Sequence, residues 1–174
     1  EISYIYHHEL SRLGYLNNKD SAYELPHLRG AYKINPKNAN LQGIILSYLE
    51  REVKEKNDPR DIIKLMDIYS KYFDFTNDNN GFNGVKANCI LELSYQSFAI
   101  NDIVKGENYL KEFESLMNTK KETQPNDNYI EKAYSFAAGI YYKKGNVAKA
   151  RQTLKSGLIY SPDNFGLKLR LNQL

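Results

Sequence analysis

Residues 133–164 read AYSFAAGIYYKKGNVAKARQTLKSGLIYSPDN. Apolar residues recur three and four apart through the first half and again through the second, the period of an α-helix with one buried face. Lys144-Gly145-Asn146 interrupts the pattern in the middle. Pro162 ends it, because proline lacks the N–H that a helix needs and clashes with the preceding turn. The stretch predicts two helices, 128–143 and 146–160, joined by a turn short enough to make them antiparallel neighbours.

Particular positions in this stretch resemble a tetratricopeptide repeat without gaps. The family places a large aromatic, a small pair and a tyrosine on the first helix; Tyr134, Ala137, Ala138 and Tyr141 stand there. On the second helix it places Ala, a large apolar residue, a small residue and a closing proline, matched by Ala150, Leu154, Gly157 and Pro162. The physics of a helical hairpin fits these choices. Ala138 and Ala150 let the two helices approach closely, while Tyr134, Tyr141 and Leu154 fill the space on either side. Gly157 costs roughly 1 kcal/mol against Ala in an exposed helix interior, which a crowded crossing makes tolerable.

Working outward, the whole chain is punctuated as helices. Asp58-Pro59 puts an N-cap before a proline at the first helical position, and Ile62, Leu65, Met66, Tyr69 and Phe73 follow at helical spacing. TNDNNGFNG (76–84) and KKETQPND (120–127) are loops by composition, and Lys105-Gly106 stops the helix before it. About nine helices are expected: 2–17, 22–34, 39–56, 59–74, 84–104, 107–119, 128–143, 146–160 and 164–174. Eight of them pair into four hairpins, and the ninth is left as a cap. Ile34-Asn35-Pro36-Lys37-Asn38 is similar to Tyr160-Ser161-Pro162-Asp163-Asn164, and three intervals of about 42 residues separate the two prolines. Leu10, Leu13 and Gly14, with Leu28, Ala31 and Pro36, resemble the opening and close of a first unit, two residues short. Pro26 falls inside its second helix, which is expected to kink or to begin there. Lys105-Gly106-Glu107-Asn108-Tyr109 resembles an inter-helix turn. The expected fold is all-α: a right-handed superhelical solenoid of antiparallel helix pairs, one tetratricopeptide-like domain over 1–174.

Composition fits a soluble helical stack of 174 residues, with 41% hydrophobic and 26% charged. Tyrosine is abundant at 15 and tryptophan absent; tyrosine fills a helix interface while its hydroxyl stays at the wet edge. No apolar run approaches a membrane span, and no basic-then-apolar signal segment opens the chain. Beginning at Glu1 and closing on LKLRLNQL, the chain reads as a piece of a longer protein. The net charge of +3 is uneven: residues 132–174 hold eight basic side chains and one acid, Asp163. A basic end attracts acidic protein, nucleic acid or anionic membrane.

The residue types that carry chemistry are not arranged for it. Cys89 is single, so no internal disulfide forms, and it sits in the apolar CILEL as a structural thiol. Thr76-x-Asp78-x-Asn80-Gly81 is faintly like a calcium loop but has Ala87 where a bidentate Glu belongs. His7 and His8 point about 100° apart on a helix and do not converge on one metal. Acidic pairs Glu50/Glu52 and Glu112/Glu114 are expected to face water. No GxSxG, P-loop or GxGxxG occurs. The chain is expected to be no enzyme and to hold no metal or cofactor.

The tetratricopeptide resemblance implies a concave groove lined by the first helix of each pair. In the last repeat its places fall on Lys132, Ser135, Phe136, Gly139 and Tyr142. The family's carboxylate clamp wants an Asn where Gly139 stands, so chaperone C-termini are not the expected ligands. The expected function is a non-enzymatic scaffold that holds a peptide or protein segment, with Phe136 and Tyr142 as anchors. Two alternatives stand beside it: a nucleic-acid-binding repeat using the basic C-terminal region, with Tyr141 and Tyr142 beside Lys143 and Lys144, and a structural or regulatory spacer attached to another domain of the same polypeptide.

Overall fold

The computed structural model describes residues 4, 5, 7, 9, 10 and 21–174. Among them are eight α-helices and no strand. They are α1 (Ser21–Ile34), α2 (Ala39–Lys54), α3 (Pro59–Tyr72), α4 (Asn80–Ala99), α5 (Ile103–Thr119), α6 (Asp127–Lys143), α7 (Val147–Tyr160) and α8 (Phe165–Gln173), with a 3₁₀ turn at Asp74–Asp78. The helix expected over 2–17, with Leu13, Gly14 and His8, lies largely outside the described residues.

Most of these helices start the same way. Asn38, Asn79, Asp102, Asn126, Asn146 and Asn164 each stand at an N-cap and accept a backbone N–H of the first turn through the side chain. Asp58 does the same for the N–H of Arg60, at 2.9 Å. Each cap satisfies one of the donors that a helix start leaves orphaned, worth about 1 kcal/mol. Both proline turns matched in the sequence, at Pro36 and Pro162, run into such a capping asparagine.

By their internal packing the residues divide into two compact units, one comprising 1–57 and 64–77, the other 58–63 and 78–174. In the first, α1 packs on α2. Leu28, Ala31, Leu41, Ile45, Met66 and Phe73 are fully buried there. Helix α1 passes through Pro26 rather than beginning at it. Glu24 is buried on this helix, and Arg51 of α2 donates to its Oε2 at 2.6 Å. Burial pushes the Glu24 carboxyl above the usual carboxylate range, against the pull of Arg51.

In the second unit, α4 packs on α5, α6 on α7, and α4 on α6. Helix α8 lies against both α6 and α7. One core runs through these helices, built on Ile90, Leu91, Phe98, Phe113, Tyr134 and Leu154. Ala133, Ala137 and Ala150 are completely buried in it, and Ala138 nearly so. The turn at Lys144-Gly145-Asn146 falls where the sequence puts it, with Gly145 at φ 78°.

Two sequence expectations fail in this unit. The stretch 76–84 is not a loop: a 3₁₀ turn occupies Asp74–Asp78, and α4 begins at Asn80. Its polar first turn is held by Asn79 as cap and by burial of Phe82, Asn83 and Gly84. Nor does Lys105-Gly106 end a helix. The break comes earlier, at Ile100-Asn101-Asp102, where Asn101 adopts φ 63° and Asp102 caps α5. Lys105–Tyr109 is therefore helical, not an inter-helix turn. Gly106 is small because α4 crosses it: a Cβ there would stand 2.7 Å from ring carbons of Phe98.

The tyrosines have a common use. Tyr134 Oη donates to Glu114 at 3.2 Å and Tyr141 Oη to Glu107 at 2.6 Å. Both tyrosines on α6 and both glutamates on α5 are seven residues apart, about 10.5 Å along an α-helix, so two matched rungs join the helices. In the first unit Tyr69 Oη donates to Glu52 at 3.1 Å. Glu52 and Glu114 are thus half-buried acceptors for buried phenols, whereas Glu50 and Glu112 are exposed as expected.

Glu107 is also paired with Lys149, whose ammonium lies 4.3 Å from the centroid of the Tyr141 ring. Hydrogen bonds from Lys149 and Tyr141 hold the Glu107 carboxyl below its usual 4.5. A carboxylate depressed in the folded state stabilises above its unfolded pKa and loses that contribution as pH falls through the folded value. Below about pH 4.5, Glu107→Gln is expected to show a shallower loss of stability than the unsubstituted chain, measured by urea unfolding across an acid series. Identical slopes would mean that Glu107 gains nothing from its partners.

Candidate functional site

The last hairpin presents one face of α6 between α4 and α8. Two depressions open on it, of about 360 and 220 Å³. The larger lies toward α4, with Tyr95, Lys132 and Phe136 in its wall. The smaller lies toward α7 and α8, with Tyr142, Gln173 and Leu174. Ser135, Gly139 and Arg170 line both. All five groove positions implied by the sequence, Lys132, Ser135, Phe136, Gly139 and Tyr142, border one or both depressions.

Their roles differ. Phe136 is 39% exposed and Tyr142 51%, large for aromatic side chains on a packed helix. Phe136 meets Tyr95 edge to face, with centroids 5.0 Å apart, so the aromatic wall is built from two helices. Lys132 does not offer a free charge: its Nζ donates to Glu92 at 2.8 and 3.0 Å and lies 4.0 Å from the centroid of Tyr95. It braces α6 against α4. Gly139 leaves a gap: apart from the backbone of its own helix and its chain neighbours, nothing lies within 4 Å of the place a Cβ would take. Ser135 is 7% exposed, and its Oγ is buried without a hydrogen-bond partner.

The helical positions assigned to repeat packing are buried, and two of them, Ala138 and Leu154, form the floor of the smaller depression. Tyr134, Ala137, Ala138, Tyr141, Ala150 and Leu154 are all in the core. Gly157 sits where a Cβ would be 2.9 Å from Cγ of Tyr134 and 3.0 Å from Cδ1 of Leu167. Pro162 follows the end of α7, before the Asn164 cap of α8.

Sequence reasoning missed the part of the cleft that comes from other helices: Tyr95 from α4 and Arg170 from α8, and also Lys143 at the end of α6. Lys143 and Arg170 make no ion pair among the described residues. By contrast Lys132, Lys149 and Lys168 pair with Glu92, Glu107 and Asp163. The basic end is therefore partly neutralised within the unit, and two of its unpaired cations border this cleft.

Cys89 is buried, and burial pushes its thiol up to about 11, so it stays protonated at neutral pH. Among the described residues no three His, Cys, Asp or Glu side chains gather as a metal site. No helix among them is long and apolar enough to cross a membrane. Set against known proteins, the chain matches no family model, no curated protein and no solved structure.

Proposed function

We propose that this chain is a tetratricopeptide-like repeat domain whose hairpins continue a right-handed superhelical stack, and that it serves as a scaffold holding a peptide or protein segment across α6. One observation carries the reading: Phe136 and Tyr142 stay exposed on either side of a cleft, while Tyr134 and Tyr141, one or two residues before them and so on another face of α6, are buried as packing. The pairing of α4 with α5, of α6 with α7, and of α4 with α6 is what a stack of helical hairpins requires. Three side-chain contacts within the second unit, Asn80 with Glu122, Lys120 with Asp78 and Lys149 with Glu107, span 42 residues, the interval read between the proline turns.

Exposed aromatics at the centre of such a surface are the usual carriers of binding energy, about 2 kcal/mol or more each. Replacing Phe136 and Tyr142 together with Ala is expected to leave far-UV helicity unchanged and to weaken binding of a library-selected peptide at least tenfold. Peptides selected by display against the full chain provide the ligand, and fluorescence anisotropy reads the affinity. Unfolding of the double variant would make the two rings core, and unaltered affinity would remove the cleft from the interface.

A further inference from the structure

We infer, resting on the reading above, that the cleft recognises an acidic side chain inside a peptide segment, with apolar residues on both sides of it, rather than a chain terminus. The shape of the cleft is the first ground. The depression walled by Tyr95 and Phe136 and the one walled by Tyr142 and Leu174 share Ser135, Gly139 and Arg170. Gly139 carries no side chain between them and leaves open space, so it forms a saddle over which a chain can cross from one depression to the other. A ligand lying over the saddle continues in both directions.

Polarity is the second ground. Arg170 borders both depressions and Lys143 borders the larger one, and neither has an ion-pair partner among the described residues. Ser135 lines both, with a buried hydroxyl that nothing accepts from. A buried donor without a partner is uncommon in a folded protein. A carboxylate at the saddle supplies the missing acceptor and receives the guanidinium of Arg170, which suits a planar, two-oxygen anion. Glu131 lines the larger depression too, with its carboxylate against Gly166, one turn of α8 before Arg170. It repels an acid from the Gly166 end of that depression. The aromatic walls then take the apolar neighbours of the acidic residue.

Selection from a random peptide library displayed as an internal loop, with neither terminus free, tests this on the full chain. Enriched sequences are expected to carry Asp or Glu flanked within a few residues by apolar side chains. The chief enriched peptide, synthesised with acetyl and amide caps, is expected to bind at least tenfold more weakly when its acid becomes the amide. A similar loss is expected when the protein carries Arg170→Ala with Lys143→Ala. The two losses should not add, because they remove the same contact. Gly139→Leu, a change to a better helix former, should keep the fold and abolish binding by filling the saddle.

Enrichment without an acid, additive losses, or equal binding by a peptide that ends in a free carboxylate at the acidic position would overturn the inference. If those results came with lost binding in the Phe136→Ala, Tyr142→Ala variant, the scaffold reading would survive alone. If no peptide were enriched on the unsubstituted chain over Gly139→Leu, both would fall.

Discussion

Tyr134→Ala is expected to destabilise the second unit by about 3–5 kcal/mol, the range for removing a large buried aromatic side chain. Tyr134 is 1% exposed and packs against both Phe113 and Tyr160, with ring centroids 6.3 and 6.4 Å away, while those two rings also meet each other at 5.0 Å. Truncation leaves a cavity where three helices meet, and each neighbouring ring is held by its own helix and cannot collapse far. Tyr134→Phe separates packing from polarity. It keeps the ring and loses only the bond to Glu114, whose half-buried carboxylate water can still reach, so about 1 kcal/mol or less is expected. Urea unfolding of the pair, followed by circular dichroism, measures both. If Ala and Phe cost the same, the hydroxyl and not the ring holds α5 to α6.

The second large effect lies across the same contact. Gly157→Val is expected to cost about 3 kcal/mol, the upper range for overpacking a filled core. Even the first added carbon meets Cγ and Cβ of Tyr134 and Cδ1 of Leu167 at 2.9–3.0 Å. Two of those atoms belong to the root of a side chain in a helix and cannot swing away. Gly157→Ala gains about 1 kcal/mol of helix propensity and still comes out destabilising, because the clash is already present at Cβ. Gly139→Ala is the control: the same propensity gain with nothing in the way should stabilise by about 0.5–1 kcal/mol. If both Ala variants shift the urea midpoint in the same direction, α7 is not pressed against α6 at Gly157.

These contrasts show which features were legible in the residues. The hairpin at 133–164 was readable because its signals are local. Helical periodicity, a glycine turn and a closing proline act within a few residues of themselves, and the small residues at Ala138, Ala150 and Gly157 announce a close crossing. Gly106 gave the opposite lesson. Beside Lys105 it resembled a turn glycine, and only the ring of Phe98 lying over it explains why it sits in a helix. Asn79-Asn80-Gly81 likewise looks like loop by composition, and burial of Phe82 in the unit makes it the start of α4 instead. Glu114 looked like a solvent-facing acid until Tyr134 was seen to reach it.

The candidate site divides in the same way. Lys132, Ser135, Phe136, Gly139 and Tyr142 share one helix, and helical geometry alone sets which of them can border a common face. What the sequence determined by itself is therefore the all-helical class, the course of most helices, the Asp58 cap and the small residues of the last hairpin. Only the tertiary structure decided that Glu92 takes up the charge of Lys132, that Tyr95 completes the aromatic wall, and that Arg170 borders the same two depressions as Gly139. The reason is physical: caps and periodicity are settled by neighbours within a turn or two of chain. The charge state and walls of a cleft depend on which distant helices the hydrophobic core draws together.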